Sequence, residues 1–348
     1  MLLLLGSQAH RPNQQLNTMP SPADFLQTIL VTGDDRIAFL QGQLSCNMTN
    51  AEGSIQLATM CNPKGRIIAI FHVICGANAI FLTARADHIE PASMHLKRFV
   101  FRSKIEITHQ HSVRIFLADA ATVPENRVLL PGTIEEPSKN ELRARLNNPS
   151  ALELTLTSNS IEDVTGNSDT KTNSLNAESF WSYHMHASGI PELSLGQSEQ
   201  YLPEPLNLDL SGGINFEKGC YTGQEVIARM HYLGKAKKRL FQFTSNESAA
   251  ITAGMPVYDQ QGTSVGEIFS VFIACNNIKE YVDTDSTPEL KVQQGSLGDL
   301  KEATVIGLAI LTNQSTESSA NEEARPYWIK QTSNASKSVS IAVTFPKY

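Results

Sequence analysis

The chain has 348 residues, 41% of them hydrophobic and 18% charged, and a formal net charge of -7. That is enough apolar material for two or three domains. It excludes a broad surface for gripping nucleic acid, which needs clustered Lys and Arg, so direct nucleic-acid binding is not expected.

Cys46, Cys61, Cys75, Cys220 and Cys275 are the five cysteines, and no two have C-x-x-C spacing. This argues against a disulfide framework, a structural zinc site or an iron–sulfur ligand run. No metal site is expected, and the free thiols fit a reducing compartment. No run approaches the roughly 18 apolar residues of a membrane span. The start, Met1-Leu2-Leu3-Leu4-Leu5, lacks the basic flank and length of a signal peptide. The expectation is a cytoplasmic protein without membrane contact.

In chain order, residues 1–20 read as a disordered leader. Residues 29–31 read as a strand, after which Asp34 or Asp35 caps a helix carrying Ile37, Phe39, Leu40 and Leu44. Positions 55–60 alternate as a strand, Asn62-Pro63-Lys64-Gly65 makes a turn, and 67–74 is a buried strand. These two form a predicted hairpin, and 80–83 adds another strand. Helical spacing follows over 88–101, then a strand over 104–108. The Ser-, Asn-, Thr- and Asp-rich stretch 147–176 reads as a mobile surface loop outside the core. A helix restarts at 180–185 and stops at Gly189-Ile190-Pro191. Past Gly234, short strands at 241–243, 255–258, 265–272, 305–311 and 339–345 predict a small separate β-barrel. Polar insertions interrupt it at 276–303 and 315–325.

Lys218-Gly219-Cys220-Tyr221-Thr222-Gly223-Gln224-Glu225 carries the densest chemistry. Thr222 and Glu225 have capping-box spacing, and Val226, Ile227 and Met230 continue with a helical face. Cys220 would then lie just outside a helix N-terminus, where unpaired N–H groups and a partial positive charge favour a thiolate. Lys218 adds a full positive charge, and Gly219 and Gly223 leave room for a ligand or partner. The plain alternative is a small buried cysteine beside an ordinary helix start. The basic run Lys235, Lys237, Lys238 and Arg239 reads as a solvated turn or as a docking point. His184, His186 and His231 show no metal-ligand spacing and read as core or surface histidines.

The complete octapeptide, followed by Arg229, resembles the YgfZ family, which is related to the glycine-cleavage T-protein and to mitochondrial factors of late iron–sulfur assembly. Gln41-Gly42-Gln43, Asn62-Pro63-Lys64-Gly65-Arg66, Gly189-Ile190-Pro191, Leu202-Pro203-Glu204, Asn207-Leu208 and Gly212-Gly213-Ile214-Asn215-Phe216 match its landmarks in order. The resemblance covers roughly Leu26 to Leu240.

The resemblance implies an α+β, T-protein-like three-domain ring, with split ferredoxin-like domains and a C-terminal antiparallel β-barrel. The expected division is 21–115 with 176–235 as the split folate-binding domain, 116–175 inserted, and 236–348 as the barrel. The implied cofactor is tetrahydrofolate or a derivative. The implied platform for its rings is Trp181, which is otherwise a core tryptophan on a buried helix face. The family's second tryptophan position is Leu26 here, with Phe25 beside it as a substitute ring. Arg229 is a further candidate contact.

The implied function is a folate-binding accessory protein that supports tRNA modification and iron–sulfur enzymes, which would be its partners, with Cys220 as a reactive thiol. The alternatives are a folate-dependent aminomethyl or one-carbon transferase, and an iron–sulfur cluster carrier. An accessory role is preferred over a turnover enzyme because no motif supplies the carboxylate that transfer chemistry needs near folate N5.

Overall fold

A computed structural model of the protein describes residues 21–109, 113–120, 123, 127–138, 140–149, 152–158, 174–234, 236–245, 251–274, 304–312, 325–330 and 338–348. The expected leader, the barrel insertion at 276–303, and Cys275 and Lys235 lie outside the described residues.

Among the described residues, two five-stranded antiparallel sheets and a barrel make up the β-structure. In the first sheet, β2 (Leu26–Thr32), β3 (Ser54–Cys61), β4 (Ile67–Cys75), β5 (Ala79–Arg85) and β6 (Glu106–His109) run in the order β3-β4-β5-β2-β6. The predicted hairpin is present, pairing Ser54 with Cys75 and Ala58 with Phe71. Alternation decides what each face does. Phe71 and Val73 of β4 join Ile29, Val31 and Met60 in a core that also holds Ile89, Ala92 and Leu96. Those three project from α2 (Ala86–Lys97), which tolerates Pro91. From Ile70 onward the even-numbered residues of β4 face the other way, and Ile74 packs there with Ile115, Leu154 and Trp181.

The second sheet supplies that opposing layer. It contains β1 (Ser21–Pro22), β7 (Arg114–Asp119), β8 (Ile134–Ser138), β9 (Glu141–Arg145) and β10 (Leu152–Thr157), in the order β1-β7-β10-β9-β8. β10 corrects the reading of 147–176 as a loop outside the core. Leu152, Leu154 and Leu156 alternate, each is buried, and the strand pairs with both β7 and β9. Six residues of alternation were hidden inside a polar composition window. Most of the stretch after Ser158 lies outside the described residues.

Two helices follow. The first, α3 (Ser174–Ala187), contributes Ala177, Trp181 and Met185 to the core between the sheets. The second, α4 (Gln224–Leu233), buries Ile227.

β11 (Lys238–Ser245), β12 (Pro256–Tyr258), β13 (Ser264–Ala274), β14 (Thr304–Thr312), β15 (Arg325–Lys330) and β16 (Ser338–Thr344) close into an antiparallel barrel, β16 pairing back onto β11. The predicted barrel is therefore present. β15 lay unread beside the polar stretch at 315–325; Tyr327 and Ile329 point into the barrel core. A separate apolar cluster, including Ile67, Leu208, Tyr221, Ile227, Phe269 and Ile310, joins the first sheet, α4 and the barrel.

Candidate functional site

Trp181 and Leu26 line one small cavity, which runs between the even face of β4 and the segment that follows α3. The indole is 1% exposed, so Trp181 is a core residue as well as a wall. His72 meets it edge-on at 5.2 Å, and Phe25 lies tilted at 6.2 Å. Phe25 also carries the Arg85 guanidinium 5.8 Å from its ring centroid. The indole N–H donates to Glu192 Oε1 at 2.7 Å.

Sequence reasoning missed four polar residues on this wall: His72, Arg85, His88 and Glu192. His72 had a legible signal, being a histidine within the apolar strand Ile67–Cys75. Glu192 follows directly after the Gly-Ile-Pro helix stop. Burial raises the Glu192 carboxyl above the usual range, against the Trp181 hydrogen bond and the Arg85 charge. Burial pushes the His72 imidazole down to about 4, so it is neutral at pH 7. His88 is held through Nε2 by the Leu193 carbonyl at 2.9 Å, and Arg85 is tied to Glu178 at 2.7 Å.

A larger cavity of about 330 Å³ adjoins the first, sharing Leu57 and His72 as walls. Gln56, Asn147, Asn148 and Ser211 give it a polar, uncharged lining. That volume falls at the lower end of the range for small-molecule sites.

Cys220 is on neither wall. It is exposed, whereas Cys46, Cys61 and Cys75 are buried free thiols. Its segment is strapped across the loop after α1 (Arg36–Gln41). Asn215 N–H donates to Ser45 O at 2.9 Å, and Thr222 N–H donates to Gly42 O at 3.1 Å.

Lys218 departs from its expected role. Its ammonium donates to the carbonyls of Gln41, Leu44 and Cys46 at 2.5–2.8 Å and lies 4.9 Å from the Tyr221 ring centroid. Lys218 is thus a buried tether, committed to the backbone of another segment. Burial lowers its pKa to about 8. The three carbonyls favour the charged form, so it remains a cation at neutral pH.

The capping box is also corrected. α4 starts at Gln224 with Gly223 as its N-cap, and no side chain caps it. Thr222 is drawn to Gly42 instead, and Glu225 pairs with Arg229 at 2.9 Å on the exposed face. Arg229 is therefore placed away from both cavities. The reason is Gly223, whose φ of +86° turns the chain before the helix begins. A Cβ there would stand 2.6 Å from Asn62 O and 3.0 Å from Gly65 Cα. Gly65 in turn faces Val226. The Asn62–Gly65 turn and the octapeptide, far apart in sequence, thus pack backbone to backbone.

Gly219 differs, since a Cβ there meets nothing within 4 Å. Gly223→Ala should cost about 2 kcal/mol or more, from a positive φ plus a backbone clash. Gly219→Ala should stay within about 0.5 kcal/mol. Urea midpoints of the two variants check the contrast; equal midpoints would sink it.

The architecture is that of the glycine-cleavage T-protein. Glycine cleavage system aminomethyltransferase T from Bartonella henselae superposes with a TM-score of 0.65, over 94% of this chain and 86% of that one. Sequence identity is 13%, so the likeness speaks for the fold alone. No family-level sequence model matches the chain.

Individual relatives do match. The tRNA-modifying protein YgfZ of Vibrio atlanticus (strain LGP32) is 28% identical over 290 residues, covering 80% of this chain and 85% of that protein. The protein of that name from Hamiltonella defensa subsp. Acyrthosiphon pisum (strain 5AT) is 30% identical over 259 residues, covering 69% and 74%. The chain belongs to the YgfZ family. Among the described residues, no helix is long and apolar enough to cross a membrane.

Proposed function

We propose that the protein is a cytoplasmic folate-binding accessory protein of tRNA modification, serving iron–sulfur enzymes rather than turning over a substrate of its own. The observation that carries the folate reading is the convergence of Trp181 and Leu26 on one wall, with Glu192 hydrogen-bonded to the indole. A folate enters through the cavity of about 330 Å³ and passes His72 towards Trp181. The pterin edge carries N–H donors, and Glu192 is a carboxylate acceptor placed to receive them. Apolar walls from Leu26, Leu57 and Ile190 suit the ring faces. The Trp181 end is narrow, so side chains there move apart to admit the ring. The tRNA side of the reading rests on the names of the relatives, and among the described cysteines Cys220 is the one that a partner enzyme can reach.

Titrating tetrahydrofolate into the full chain tests this. The chain has two tryptophans, so a Trp328→Phe background leaves Trp181 as the reporter. Saturable quenching is expected. Glu192→Gln should weaken binding by about tenfold, since hydrogen bonds to charged groups contribute about 1.5–3 kcal/mol. Absence of saturable quenching, together with absence of heat in calorimetry, would remove the folate reading.

A further inference from the structure

A second constellation lies where the end of α4 meets the barrel, and it uses none of the cavity residues. Glu204, Asp209 and His231 each bring one potential ligand atom within 4.8 Å of the other two. Their separation along the chain hid this, because His231 stands on α4 whereas Glu204 opens a 3-10 turn, Glu204–Leu206.

Charge in the cluster is unbalanced. Arg239 holds Asp209 through two contacts, 2.6 and 3.0 Å, but reaches Glu204 Oε1 only at 3.6 Å. Glu204 is 6% exposed, and its Oε2 is buried with no hydrogen-bond partner among the described residues. Two carboxylates therefore share one guanidinium, and Glu204 keeps an unpaired carboxyl oxygen where water barely reaches. An uncompensated buried charge is costly and calls for a cation.

The surroundings suit one. His231 sits in the last turn of α4, the end of a helix dipole that favours positive charge. Phe216 stacks on its ring at 3.7 Å and 17°, which fixes the imidazole plane. The ring is also the exposed member of the three.

We propose that Glu204, Asp209 and His231 hold a divalent transition-metal ion of the zinc class. Two carboxylate oxygens and one imidazole nitrogen form a donor set suited to such ions, and an exposed third ligand leaves a position for water. Donors bind at about 2 Å, so ligand atoms around a tetrahedral ion stand about 3.3 Å apart. From separations of up to 4.8 Å, the cluster needs to contract by up to about 1.5 Å, within reach of side-chain rotation at the exposed His231. Arg239 can stay on Asp209, since ligating carboxylates are commonly hydrogen-bonded by a neighbouring group. The ion would clamp the end of α4, the 204–209 segment and the first barrel strand together.

The test uses tag-free, chelator-treated full-length protein carrying Cys220→Ser and Cys275→Ser, which removes the exposed thiol of the described residues and the one cysteine outside them as rival ligands. Cobalt(II) is the probe, followed by its visible absorption, and zinc(II) is added in thermal melts. One equivalent of cobalt should bind, and zinc should raise the melting temperature. His231→Ala, an exposed change, should weaken cobalt binding at least tenfold and abolish the zinc response. Glu204→Gln, which keeps the side chain's shape, should do the same, with circular dichroism verifying the fold of both. Lack of saturable cobalt binding, or unchanged affinity in His231→Ala, would overturn the proposal.

Discussion

Lys218→Met will destabilise the fold by about 4 kcal/mol, more than a methionine of similar length should cost on packing grounds. The substitution keeps the aliphatic stem and removes only the ammonium. Three backbone carbonyls, of Gln41, Leu44 and Cys46, then lose a charged donor in a region where Lys218 is 7% exposed. Each buried polar group left unsatisfied costs about 1–3 kcal/mol. Urea unfolding measures the loss, and amide exchange at Thr222 should quicken, because the strap loses its main anchor. A shift under about 1 kcal/mol would mean that water replaces the ammonium, and the tether reading would fail.

Stability will fall steeply between pH 6.5 and pH 4. His72, His184 and His186 are each pushed down to about 4 by burial, from 6.5. The unfolded chain therefore binds more protons throughout that window, and acid favours it. At pH 5 each histidine removes about 2 kcal/mol, so the three together remove about 6, within the usual range of a domain's whole stability. Glu192 and Glu204 act in the opposite direction, because burial raises both. They give stability at low pH that is lost as pH rises through their folded values. The three histidines outnumber the two glutamates, so the net sign is loss on acidification. Melting temperatures from pH 7 to pH 5 measure it. His184 packs edge-on against Phe180 and Tyr183, so His184→Leu should flatten the slope by about a third. A flat profile would show that these rings are protonated within the fold.

The first sheet and most of the barrel were legible because their strands alternate cleanly and end at glycine or proline turns. β10 was not, since its Leu-Glu-Leu-Thr-Leu-Thr run is short and flanked by polar residues that dominate any composition window. The octapeptide was legible as a unit, but its parts were assigned by local logic. Thr222 and Glu225 have the spacing of a capping box, yet a tertiary partner, Gly42, takes Thr222. Lys218 stands two residues from Cys220 in sequence, but its ammonium is spent on a segment more than 170 positions earlier. Nearness along the chain suggested a partner for the thiol, and side-chain direction gives the ammonium three backbone carbonyls. The cavity wall was half legible. Trp181 and Leu26 could be picked out, whereas Glu192 and His72 needed the pleat of β4 and the turn after α3 to bring them together.

The strap has a kinetic consequence. Lys218 reaches carbonyls separated from it by 172, 174 and 177 positions. Such contacts close very long loops, and their entropy is lost before any bond repays it, so they form late in folding. The first sheet can assemble from neighbouring hairpins, but the platform under Cys220 cannot exist until the chain has been made to about residue 223 and has returned to residue 42. A nascent chain that stops short of the octapeptide therefore lacks the platform. The platform is thereby a record that this one long return has been made, before the barrel strands that follow it in the chain are needed.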